Sequence, residues 1–233
     1  MYIQITTRCN MRCAHCAYSC TSKGIDMNMW TYLQAIRLAG EIGQTYISIG
    51  GGEPTVHPDF WRYLDIALED EFIESVWLAT NGKRSRDAYK LLEYMDIWSR
   101  DKFSCELSQD EFHAPISDRV IDAFRYKGAM KGVMGKYNPY IRTVTGGIIK
   151  VGRAIKTGVW DVEGCAQPGL HIDPEGKMWN CGCKQTQFGT VFNPQIPDDY
   201  WYIERYDGGC NYQKKIDYCK ENNINPEDYG GME

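Results

Sequence analysis

Three cysteines in one short loop, Cys9-Asn10-Met11-Arg12-Cys13-Ala14-His15-Cys16, constrain this chain more than any other stretch. The C-x3-C-x2-C spacing follows directly on Tyr2-Ile3-Gln4-Ile5, a short apolar run that reads as a strand. So compact a loop gathers three thiols at the end of that strand. Three is the informative number, because structural zinc sites and electron-transfer clusters normally close with four protein ligands. A [4Fe–4S] cluster held by three thiolates leaves one iron open to something else. A zinc loop, or a disulfide pair with a spare thiol, are the competing readings of the spacing alone.

At 233 residues the chain can bury a core as one domain, or one domain with a small appendage. A formal charge of −5 provides no basic field for gripping nucleic acid generally. No apolar run is long enough to cross a bilayer, and no signal-peptide core is recognisable, so a cytoplasmic protein is expected. Ten cysteines in a chain of this size, opening on a metal-type loop, read as reduced thiols for metal rather than as a disulfide framework.

Downstream, strand and helix alternate. Met27 to Ile42 has helical apolar spacing through Met29, Trp30, Leu33, Ile36, Leu38 and Ala39, with Asp26 as N-cap; Cys20, just before it, is read as unligated. Tyr46 to Ile49 is a second strand, running into Gly50-Gly51-Gly52-Glu53-Pro54. Glycines there let backbone approach a ligand, and the carboxylate can hold an ammonium. Helices are expected near 59–69, 85–95 and 117–126, and strands over 75–79 and 102–108. His57, before Pro58, reads as a turn or cap residue, and Cys105 as core. The third strand ends in Thr80-Asn81-Gly82, the fourth in Ser108-Gln109-Asp110 with His113 nearby. Motifs at successive strand ends are the pattern of a parallel β/α barrel. Tyr140 to Val151 supplies a fifth strand, leaving little room for a sixth.

The cysteine loop resembles the signature of the radical S-adenosylmethionine (SAM) superfamily. That resemblance implies a [4Fe–4S] cluster on Cys9, Cys13 and Cys16, the catalytic residues, with SAM on the open iron. Reductive cleavage would then yield a 5′-deoxyadenosyl radical that abstracts hydrogen from substrate. It also implies cofactor contacts from His15 (where the family usually has an aromatic), from Gly51, Gly52 and Glu53 of a GGEP-like turn, and from Asn81, Ser108 and Asp110. The expected fold is α/β: a truncated open barrel of five or six parallel strands over residues 1–151, then a hairpin-plus-helix extension over 152–233.

That extension carries Gly152-Arg153-Ala154, Cys165, a hairpin turning at Pro174-Glu175-Gly176, then Cys181, Cys183, Cys210 and Cys219. The arrangement resembles the Twitch or SPASM region of radical SAM enzymes and implies one auxiliary Fe–S cluster on four of the five thiols. Cys165, Cys181, Cys210 and Cys219 are the preferred set, and a structural zinc is the alternative. Tyr212 to Asn222 reads as a helix. The chemistry requires a reductant such as flavodoxin or ferredoxin. A peptide or protein side chain is the preferred substrate class. A small or nucleotide-type molecule is the second reading, and a non-catalytic Fe–S or zinc module the third. Since the first strand starts at residue 2, a peptide substrate is expected to need a separate recognition partner.

Overall fold

The computed structural model describes residues 1–130, 140–144, 147–161, 168–184, 186–198 and 221. Cys165, Cys210, Cys219 and nearly all of the expected 212–222 helix lie outside them. The described chain runs β1 (Tyr2–Thr6), α1 (Met29–Glu41), β2 (Tyr46–Gly51), a 3₁₀ turn (Pro54–Val56), α2 (Phe60–Glu69) and β3 (Ser75–Thr80). It continues through α3 (Ser85–Ile97), β4 (Phe103–Ser108), α4 (Asp118–Met130), β5 (Ile141–Arg142) and α5 (Arg153–Thr157). A meander of β6 (Pro168–Ile172), β7 (Lys177–Cys181), β8 (Gln187–Thr190) and β9 (Asn193–Pro194) follows.

All nine strands form one sheet, in the order β5-β4-β3-β2-β1-β6-β7-β8-β9. The first five are mutually parallel, each joined to the next through a helical crossover up to β4. A sixth parallel strand does exist, but not beyond β5. It is β6, laid against the free edge of β1 with Tyr2 opposite His171 and Ile3 opposite Ile172. The fifth strand is only two residues long rather than 140–151, so the open edge of β1 is where a further apolar strand finds a partner. β6 then turns antiparallel into β7 at the expected place, with Gly176 N–H donating to Asp173 O at 2.8 Å.

Strand alternation divides the sheet into two faces. Ile3, Ile5, Ile47, Ile49, Val76, Leu78, Phe103, Cys105 and Leu107 are buried in one core with Tyr32 and Ala35 of α1, Phe60 and Leu64 of α2, Leu91 of α3 and Phe124 of α4. Each Val, Leu, Ile or Phe among them contributes about 1.5–3 kcal/mol by leaving water. The opposite face carries Tyr2, Gln4, Ser48, Trp77, Ala79, Glu106 and Ser108, a mostly polar set facing away from the helices.

Two expectations about α1 are corrected. Its N-cap is Asn28, whose Oδ1 accepts from Thr31 N–H at 2.9 Å. Asp26 instead accepts from the Thr6 hydroxyl at 2.6 Å and pairs with Arg8 at 2.6 Å, tying the cysteine loop back to β1. Trp30 and Leu33 fall on the exposed side of the helix, Trp30 stacking on Phe192 of the β8–β9 turn. His57 has the expected turn role: Nδ1 accepts from Asp59 N–H at 3.0 Å, which leaves Nε2–H to donate to Met27 O at 2.9 Å.

Candidate cofactor site

The cysteine loop leaves β1 at Thr6 and is pinned across its base, with Cys9 N–H donating to Thr21 O at 2.8 Å and Thr7 N–H to Ile25 O at 2.9 Å. The end of β2 presses on it: Gly52 N–H donates to Thr6 O and Glu53 N–H to Arg8 O, both at 2.9 Å. A Cβ at Gly52 would lie 2.1 Å from Arg8 O and 2.9 Å from Cys9 Cβ. The glycine is thus required first by the passage of the cysteine loop against the strand end.

Two of the three thiols, Cys9 and Cys16, receive N–H···S contacts suited to thiolates. Met11 N–H reaches Cys9 Sγ at 3.4 Å, Cys20 N–H reaches Cys16 Sγ at 3.4 Å, and Asn81 Nδ2 lies 3.8 Å from Cys9 Sγ. Burial pushes Cys9 up to about 11 and raises Cys13 as well. Cys16 is pulled down to about 6, chiefly by a hydrogen bond from the buried Cys20 thiol. In that pair Cys16 holds the negative charge and Cys20, raised by the same contact and by burial, keeps the proton. Cys20 is therefore a partner of the site rather than a spare residue.

The donor set fits a cluster better than a single ion. A tetrahedral zinc with Zn–S near 2.3 Å would draw its sulfurs to about 3.8 Å from one another. Among the described residues, the only His, Cys, Asp or Glu trio with ligand atoms within 4.8 Å of one another is His15, Asp110 and His113. The three cysteines nonetheless line one cavity, with at least one pair of their sulfurs more than 4.8 Å apart.

That cavity, of about 270 Å³, is bounded by Cys9, Cys13, Cys16, His15, the turn from Gly50 to Glu53, Asn81 and Ser108. All the expected cofactor residues except Asp110 meet there. Asp110 lies in an adjoining cavity of about 330 Å³ that shares His15, Ser108, His113 and Arg142 with the first. Its carboxylate accepts from His113 Nδ1 at 2.7 Å and Phe112 N–H at 3.0 Å. Burial raises Asp110, but the His113 bond and charge outweigh it and hold the group below its usual range. His15 packs 5.1 Å from both Phe112 and His113, its buried Nδ1 without a hydrogen-bond partner. Burial, and then the charge of His113, lower it.

Glu53 is buried, and both carboxylate oxygens are engaged within the chain. Oε1 accepts from the hydroxyls of Thr55 and Thr80 at 2.8 Å, and Oε2 from Asn81 N–H at 2.7 Å. Burial raises its pKa against these bonds. The carboxylate braces the ends of β2 and β3. Asn81 in turn donates to Asn10 Oδ1 at 2.8 Å, fixing the residue next to Cys9.

Sequence reasoning missed two arginines. Arg142 stands opposite Ser108 in the β4–β5 pairing and lines both cavities, its guanidinium 5.7 Å from the Trp77 ring centroid. The parity of β5, one cation on the inner face opposite a motif serine, is the signal that points to it. Arg153 also lines the first cavity. A third feature, the ring cluster of Tyr2, Tyr18 and His171 at 4.9–5.7 Å, needs β6 beside β1 and has no local signal. Of the expected auxiliary ligands, Cys181 is buried at the end of β7 and Cys183 half-buried just beyond it.

Residues 3–134 match the radical SAM superfamily. Over 124 residues the chain is 36% identical to mycofactocin maturase MftC of Mycobacterium tuberculosis, covering 50% of this chain and 29% of that protein. Over 134 residues it is 31% identical to GTP 3',8-cyclase of Photorhabdus laumondii, covering 52% and 40%. The chain thus spans well under half the length of these relatives. A crystal structure of BtrN in complex with AdoMet and 2-DOIA superposes with TM-score 0.58 at 14% identity, covering 94% of this chain and 86% of that one. Native anSMEcpe with bound AdoMet gives 0.52 at 14%, covering 94% and 85%. At such identities these likenesses speak for the fold alone. The match over more than half its length makes this chain a member of the radical SAM superfamily.

Proposed function

We propose that the chain is an enzyme that binds SAM at a [4Fe–4S] cluster on Cys9, Cys13 and Cys16 and uses it to abstract hydrogen from a substrate. The observation that carries this reading is three cysteines of one loop lining a single cavity with the turn from Gly50 to Glu53, Asn81 and Ser108. When bound, the cluster and SAM supply an electron, methionine and a 5′-deoxyadenosyl radical. The chain's own groups do the holding. Gly51 and Gly52 present backbone to the amino group of SAM, on a turn kept rigid by Glu53. Arg142 and Ser108 offer a cation and a hydroxyl for the carboxylate. His15, flat and half-buried, packs beside adenine. The apolar sheet face and its helices keep water from the other side of the strand ends.

The substrate we favour is a peptide or protein side chain, in line with the maturase likeness. The cyclase likeness favours a small or nucleotide-type molecule as the second reading. Residues 1–151 are taken as the catalytic core. Residues 152–233 are taken as an auxiliary region that binds a second Fe–S cluster, or zinc, through Cys181 with Cys165, Cys210 and Cys219, Cys183 being the reserve ligand. A cytoplasmic flavodoxin or ferredoxin is the electron source. Anaerobic iron and sulfide content, followed by 5′-deoxyadenosine release from SAM under dithionite, tests the reading. Iron without SAM cleavage would leave only a metal-binding module.

A further inference from the structure

We infer that Arg153 is a positioning residue that braces the N-terminal cysteine loop from an element more than 130 residues away; the inference rests on the cluster reading above. The contacts are specific. Arg153 Nη1 donates to Cys13 O at 2.8 Å, and Nη2 donates to Cys20 O. Its backbone N–H donates to Cys16 O at 2.9 Å, and one turn later the Thr157 hydroxyl donates to Ala14 O at 2.9 Å. One short helix therefore satisfies four carbonyls in the loop that carries the second and third thiols.

The approach leaves no room for a side chain at the preceding position. Gly152 has φ 56°, and a Cβ there would sit 2.0 Å from Ala17 O and 2.6 Å from Cys16 O. The fork reaches two carbonyls on either side of Cys16. Because Cys20 N–H reaches Cys16 Sγ, holding Cys20 O also holds that sulfur contact. A guanidinium can donate to two acceptors at fixed spacing, whereas a lysine offers a point charge to one. Held at Cys13 O and Cys20 O, the same positive charge would favour the reduced form of a cluster bound to these cysteines. Arg153 thus has two separable effects, a geometric one through its fork and an electrostatic one through its charge.

Two substitutions separate them. Arg153→Lys keeps charge without the fork; Arg153→Gln loses both. Lys156→Gly, at an exposed position on the same helix, controls for helix destabilisation. In metal-free protein, hydrogen exchange of amides 13–21 should accelerate in both Arg153 variants and not in the control. In reconstituted protein, both should lose iron to a chelator roughly 10- to 100-fold faster, the range for groups that orient metal ligands. Only Arg153→Gln should shift the cluster midpoint potential to more negative values. Unchanged exchange and iron retention in Arg153→Gln would overturn the inference, as would a Lys variant indistinguishable from wild type in both. Failure of the cluster reading would appear in wild type itself, as no iron and sulfide or no SAM cleavage. The exchange measurement on metal-free protein is independent of it.

Discussion

Replacing Glu53 with Gln separates two roles that a buried carboxylate in this turn can have. In the wild type Oε1 receives the hydroxyls of Thr55 and Thr80, and Oε2 receives Asn81 N–H. Hydrogen bonds to a charged acceptor contribute about 1.5–3 kcal/mol each, and a buried donor left facing another donor costs about 1–3 kcal/mol. In Glu53→Gln one oxygen becomes an NH₂. The hydroxyls can rotate to accept from it, but Asn81 N–H or Thr55 N–H must then face a donor. Burial already penalises the charge and raises the Glu53 pKa, so a neutral amide recovers part of this loss. The net expectation is about 2 kcal/mol of destabilisation, or roughly 4–8 °C in Tm for a chain of this size. Because the folded carboxyl is raised, its proton-linked stabilisation is present at low pH and lost as pH rises through the folded value. The gap between wild type and variant should therefore narrow as pH rises above the ordinary carboxylate range. Thermal melts of metal-free protein, and the change SAM induces in the spectrum of the reduced cluster, are the two assays. Both should weaken together, because the carboxylate sets Asn81 and, through it, Asn10 beside Cys9. A wild-type Tm with complete loss of the SAM response would refute the bracing argument and make Glu53 a direct ligand of the cofactor.

Four further outcomes are expected. Cys16→Ala should abolish SAM cleavage, and Cys181→Ala should leave most cleavage intact while product is lost, both read by chromatography of 5′-deoxyadenosine and product. Arg142→Ala should weaken SAM binding roughly tenfold, the low end for a charge-assisted bond because the arginine is exposed, and the effect should shrink with added salt. Burial, followed by the charge of Lys184, lowers His171 to about 3, so the unfolded chain takes up this proton first as pH falls below about 6.5. Wild type should lose about 2 kcal/mol more than His171→Phe between pH 7.5 and 5, seen as a steeper fall in Tm; equal slopes would mean His171 is not held neutral.

The strand-end motifs were legible because each is local: a short apolar run followed at once by its cysteines, its glycines, Asn81 or Ser108. Period-2 runs and helical spacing likewise located α2, α3 and β4 to within a few residues. What was not legible depends on which distant segments meet. Nothing near β1 announces that its free edge will take β6, because Leu170 and Ile172 would suit any exposed strand edge. Asp26 reads as a cap for the following helix until Thr6 and Arg8 compete for it. The Gly-Arg-Ala at 152–154 is conspicuous, but only the fold shows that its acceptors are the carbonyls of Cys13, Cys16 and Cys20.

The two faces of the sheet also differ in how well their polar groups are satisfied, and that asymmetry bears on function. On the helix face the side chains are apolar and closely packed. On the other, Gln4 and His171 are both 0% exposed, joined through Gln4 Oε1, yet Gln4 Nε2 and His171 Nδ1 have no hydrogen-bond partner. An orphaned buried donor or acceptor costs about 1–3 kcal/mol, so a face devoted only to stability would not retain two beside each other. His171 packs against Tyr2 and Tyr18, which line the cofactor cavity, and His15 Nδ1 is a third such atom at its rim. Among the described residues, His15 Nδ1 at the cavity and the Gln4–His171 pair behind its tyrosine wall thus hold hydrogen-bonding capacity that a ligand or water can meet. That is the physical expectation for a site where a polar cofactor and its substrate must meet with little bulk solvent between them.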